Sequence, residues 1–111
     1  MTYTIEAITR DEIVRQVGRM NILAISGGRV GYLPDGIELP VGNGYRVRVR
    51  LTPADDYTVE RVFVRSAVEY SKGIEDMVYC DEVGETAYRA SCFRNNDADY
   101  WPAALDNSTQ N

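Results

Sequence analysis

The chain has 111 residues, of which 44% are hydrophobic and 26% charged, the makeup of one globular domain with a single core. Its formal net charge is −5, and no apolar run approaches the roughly 20 residues that cross a membrane. A uniformly basic surface for duplex nucleic acid is excluded, and the complete lack of histidine removes the commonest general base, metal ligand and triad member.

Thr9-Arg10-Asp11-Glu12 has the form of a capping box, with Thr9 as N-cap. It predicts a short helix over 10–18 that carries Ile13, Val14 and Val17 on one face and stops at Gly18. The apolar run Asn21 to Ile25, halted by Ser26-Gly27-Gly28, predicts a short buried strand. Arg29 to Asp35 reads as a turn or short strand, Gly36 to Pro40 as a strand, and Gly42-Asn43-Gly44 as a tight turn.

Tyr45, Val47, Val49 and Leu51 alternate with Arg46, Arg48, Arg50 and Thr52. This is the clearest periodicity in the chain, a strand with its apolar face inward and its arginine face outward. Pro53 to Asp56 supplies a turn, and Tyr57 to Val64 should pair back antiparallel, with a bulge or two-sided burial at Val62–Val64. Val68 to Ser71 is a candidate fifth strand.

From Asp76 the period changes. Met77, Cys80, Val83, Ala87 and Ala90 recur at three and four residues, predicting a longer helix that starts near Asp76, with Gly84 set close to the sheet. On that helix Cys80 and Cys92 would lie about 18 Å apart, too far for a disulfide, and read as small buried thiols. The polar tail over 95–111 departs from any periodicity, apart from a possible dock by Tyr100-Trp101-Pro102. The expected architecture is α+β: one domain over 1–94, with four or five antiparallel strands in one twisted sheet. A short N-terminal helix and a longer C-terminal helix cover one face.

Two patches stand out chemically. Ser26-Gly27-Gly28-Arg29, at the end of a strand, has the makeup of an anion-binding nest. Arg46, Arg48 and Arg50, spaced about 6.8 Å apart on one strand face, either pair with acids such as Glu60 or clamp phosphate. Tyr45 or Tyr57 would then stack on a base. Eleven of the twelve basic residues are arginine, and residues 66–111 carry a net charge of −6. Asp76, Asp81, Glu82 and Glu85 form an acidic face on the predicted C-terminal helix.

Three strings resemble, in order, a family of small proteins encoded by bacteriophages and prophages. They are Asn21-Ile22-Leu23-Ala24-Ile25-Ser26-Gly27-Gly28-Arg29, Leu51-Thr52-Pro53-Ala54-Asp55-Asp56-Tyr57-Thr58-Val59 and Val78-Tyr79-Cys80-Asp81-Glu82-Val83-Gly84-Glu85. The resemblance spans roughly residues 9 to 94, and the arginine bias is similar to that of members from phages of actinobacteria. It transfers no catalytic residue. It implies an accessory protein that acts by binding, as many such proteins do when they antagonise a host defence.

The first expectation is therefore a non-enzymatic, cofactor-free and metal-free protein that sequesters a nucleotide signal through Ser26–Arg29, Tyr45, Arg46, Arg48, Arg50 and Tyr57. The second is an inhibitor of a host protein that uses Asp76, Asp81, Glu82 and Glu85. Met1 to Glu6 has neither the basic nor the apolar region of a signal peptide, so a cytoplasmic, homo-oligomeric protein is expected.

Overall fold

The computed structural model describes residues 7–92. Its elements are α1 (Ala7–Val17), α2 (Arg19–Ser26), β1 (Gly31–Leu33), β2 (Gly36–Gly42), β3 (Tyr45–Leu51), β4 (Tyr57–Arg65), β5 (Val68–Val78) and α3 (Val83–Ser91). The strands form one open antiparallel sheet in the order β1-β2-β3-β4-β5. This is the expected α+β architecture, with three helices in place of two.

The alternation of β3 sets the layers. Val47 faces Leu39 and Val49 faces Ile37 across β2, and Val49 faces Val59 across β4. These side chains form one fully buried core with Ile13 and Val17 of α1, Ile22 and Ile25 of α2, and Val83, Ala87 and Ala90 of α3. All three helices thus cover one face of the sheet, and the arginines of β3 lie on the other. No helix among the described residues is long and apolar enough to cross a membrane.

Both expected hairpin turns at the ends of β3 are present. Asn43 and Gly44 adopt φ of 56° and 89°, the two positive values of a type I′ turn. The β4–β5 hairpin turns the same way on Ser66 and Ala67, at φ of 54° and 65°, with no glycine. Left-handed backbone costs an L-residue about 1–2 kcal/mol, partly offset in glycine by its greater chain entropy. Ala67→Gly is therefore expected to stabilise the domain by about 0.5–1 kcal/mol. A urea titration should show the midpoint rise at constant slope; an unchanged or lower midpoint would refute the strain at Ala67.

Several expectations are corrected. The chain is already helical at Ala7, so Thr9 lies inside α1 and cannot be its N-cap. The segment 21–25 is helix, not strand: Ile22, Ile25 and Ser26 are buried at helical spacing while Leu23 and Ala24 face outward. Gly18, at φ 98°, lets the chain turn between α1 and α2, and Gly27, at φ 68°, ends α2 in the left-handed conformation.

The strand β5 continues to Val78, through the residues expected to open a long helix. The C-terminal helix is consequently the shorter one, nine residues against eleven in α1. Gly84 makes its close approach to α1 and α2 and not to the sheet: a Cβ there would overlap the Val17 carbonyl oxygen. Cys80, in the turn before α3, and Cys92, at its C-cap, are exposed and not buried.

Burial on both faces of β4 occurs at Arg61 and Val62, one residue early, and the extra residues sit on β5. Ser71 and Ile74 face Val62 and Glu60, while Glu75 and Val78 face Val59 and Tyr57, so β5 carries two bulges. The tail with Tyr100-Trp101-Pro102 lies outside the described residues.

Candidate functional site

The arginine face is closed by its own carboxylates. Arg48 Nε donates to Glu38 Oε2 at 2.7 Å, and its Nη1 and Nη2 donate to the two Glu69 oxygens at 2.9 Å each. This last pair is bidentate and spans β4, since Glu38 is on β2 and Glu69 on β5. Arg46 Nη1 reaches Glu38 Oε1 at 3.4 Å. Arg50 donates from Nε to Asp35 at 3.3 Å and from Nη1 to Glu60 at 3.2 Å. Arg48 is only 9% exposed, so its fork is both occupied and covered. Three guanidinium groups meet four carboxylates, and an incoming phosphate would have to displace Glu69 and Glu38 from geometry that already satisfies the fork.

Hydrogen bonds from Arg48, and then its charge, hold the Glu69 carboxyl below its ordinary value. A lowered folded-state value means that stability is present above the ordinary carboxylate range and lost as pH falls through the folded value. Glu69→Gln removes this contribution. The variant should be less stable than wild type at neutral pH, and the difference should shrink on acidification. Urea midpoints measured from neutral pH down through the carboxylate range check this; a pH-independent difference would refute it.

Tyr45 and Tyr57 do not join the arginines. Both are buried on the helix-covered face, opposite to Arg46, Arg48 and Arg50. The Tyr45 ring lies 4.8 Å from Phe63 and carries the Arg61 guanidinium 4.4 Å from its centre. The Tyr57 hydroxyl donates to Gln16 Oε1 at 2.8 Å, and burial pushes its titration above the ordinary tyrosine value. Neither ring can stack on a base bound at the arginines, which corrects that expectation.

Ser26-Gly27-Gly28-Arg29 is likewise not a nest at a strand end. The Gly27 N–H donates to Leu23 O at 2.9 Å and the Gly28 N–H to Ile22 O at 3.4 Å, closing α2. The Ser26 hydroxyl is buried within reach of Ile22 O and Arg29 O, and Arg29 Nε donates to Ser26 O at 3.3 Å. A helix C-terminus presents carbonyls, the wrong end of the dipole for an anion.

One functional-looking side chain escaped the sequence reading. Arg61 occupies an inward position of β4 and is 2% exposed. Its Nη1 donates to Ala90 O at 3.0 Å, so a cation sits at the C-terminal end of α3. Its signal in the sequence is its parity: it falls in the same every-second-residue series as Tyr57, Val59 and Phe63.

The acidic residues do not share one helix face, and Asp76 accepts from the Thr58 hydroxyl on the arginine side of the sheet. Asp76 is on β5, Asp81 and Glu82 lie in the turn that follows, and Glu85 stands on the outer side of α3. Between them, Met77 takes φ 56° and is 66% exposed, and Tyr79 is 57% exposed. Tyr88, three residues beyond Glu85 on α3, is also exposed. The segment from Asp76 to Glu82 thus carries two large exposed apolar side chains among three exposed carboxylates, with Glu85 following in α3. Among the described residues no cluster of His, Cys, Asp and Glu could hold a metal ion. No family model, curated protein or solved structure matches the chain.

Proposed function

We infer that the protein acts by binding another protein through the corner formed by the end of β5, the following turn and α3. The observation that carries this reading is the exposure of Met77 and Tyr79 in a segment whose Asp76, Asp81 and Glu82 are also exposed, with exposed Glu85 following in α3. Methionine and tyrosine are enriched where interfaces bury their anchors, and surrounding carboxylates select a basic partner and speed encounter. In the phage setting implied by the sequence resemblance, the partner is a host defence enzyme with a basic surface, met in the cytoplasm of the infected cell.

Nucleotide capture is the weaker reading, because Arg46, Arg48 and Arg50 already hold Glu38, Glu60, Glu69 and Asp35. The two readings part on variants. Asp81→Lys with Glu85→Lys, and separately Met77→Ala, should leave the fold intact and abolish both capture of the host partner and protection of phage on a defended host. Arg48→Lys should protect like wild type, and cyclic nucleotides should leave the melting midpoint unchanged. Full protection by the charge-reversed and Met77 variants would overturn the assignment of this corner. A raised midpoint with a nucleotide would return the function to the arginine face.

A further inference from the structure

Helix α2 is apolar on both sides. Ile22 and Ile25 are buried against the sheet, while Met20 is 76% and Leu23 47% exposed on the outside. A helix that is apolar all round calls for cover on its outer side as well. Beside Leu23 runs a groove of about 480 Å³ between α1, α2 and the approach to β1, lined by Val14, Ile22, Leu23 and Val30. Arg15 and Arg19 line the same groove. Arg15 is engaged by Glu12, but Arg19 has no acidic partner among the described residues.

The chain carries a segment of matching chemistry. Residues 95–111 contain Asp97, Asp99 and Asp106, no lysine or arginine, and the only tryptophan, within Asp99-Tyr100-Trp101-Pro102-Ala103-Ala104-Leu105. We propose that this segment docks on its own chain, with Trp101 in the α1–α2 groove and Asp97 or Asp99 against Arg19. The tether starts close to the groove, because α3 packs against α1 and α2, and the eight residues between Cys92 and Trp101 let the chain reach about 30 Å when extended. A buried tryptophan removes about 150–250 Å² from water, and the tether makes docking intramolecular at a high effective concentration.

Trp101 reports on the proposal directly, since no other tryptophan contributes to the fluorescence. In the intact protein its emission should be blue-shifted, and its quenching by acrylamide several-fold weaker than that of N-acetyltryptophanamide. Leu23→Asp and Arg19→Glu alter exposed residues, so circular dichroism should stay native. Leu23→Asp should restore most of the quenching and Arg19→Glu part of it, with more restored at low than at high salt. Protection should be unchanged on dilution. A freely quenched Trp101 in the wild type overturns the proposal, as does protection that survives both substitutions. Protection lost on dilution also overturns it, since it would place a second copy in the groove.

Discussion

Gly84→Ala is expected to destabilise the domain by about 3 kcal/mol or more, against a helix-propensity gain of about 1 kcal/mol from the same change. The Cβ would overlap the Val17 carbonyl oxygen and approach Asn21 Nδ2 to 2.7 Å. The first obstacle is backbone in the last turn of α1, fixed by the Gly18 N–H bond to Val14 O that closes that helix. The alternative is for α3 to move off, which opens the contacts of Val83, Ala87 and Ala90 with the core. With total stabilities of about 5–15 kcal/mol usual for a domain, the variant should be partly unfolded at moderate temperature. Urea unfolding followed by circular dichroism decides the sign. A Gly84→Ala protein as stable as wild type would mean that α3 does not lie against the α1–α2 junction as described.

The second large effect is expected at Arg61. Removing it leaves the Ala90 carbonyl without that donor and opens space beside Tyr45. Arg61→Ala should cost about 3 kcal/mol, the sum of a buried acceptor left unmet and a cavity. Arg61→Met restores much of the volume but not the donor, and should recover about half of the loss. Chemical denaturation of the two variants separates the contributions. If methionine restores wild-type stability in full, Arg61 acts by its volume and its bond to α3 adds nothing.

How far the fold could be read in advance depended on where each element's information lies. The strands β2 to β4 were legible because alternation is local: Val47 and Val49 face Leu39 and Ile37 on β2, and the apolar residues of β3 meet every second residue of β4 from Tyr57 to Phe63. Helix α2 was not, since a run of four apolar residues, Ile22 to Ile25, fits a buried strand as well as a helix. The decisive spacing of Ile22 and Ile25 is too short to settle the period by itself. The start of α3 misled for the opposite reason. Met77 and Cys80 continue its three-and-four spacing backward, but Val78 pairs with Tyr57, and that long-range ladder claims the segment for β5.

The site divides in the same way. Parity alone puts Tyr45 and Tyr57 on the face opposite Arg48, so their separation was present in the sequence. The bidentate partner of Arg48 was not, because Glu69 reaches the arginine face across β4 in the register set by the glycine-free turn at Ser66 and Ala67, where it pairs with Val64. The acids at the end of the sheet were visible as residues, but the extension of β5 to Val78, which takes Asp76 off the helix that carries Glu85, was not.

The sheet's two borders bear on how the molecule behaves when it is made in quantity. One border is β1, three residues long, and the other is β5, with its two bulges and the left-handed Met77. Neither offers the flat run of unpaired amide groups on which an additional strand can be templated. Stacking into fibrils is blocked at both ends, although the inner strands β3 and β4 are rich in valine and carry the composition that fibrils favour. Self-association of the folded chain is therefore expected through side chains and not by the addition of strands at a sheet edge.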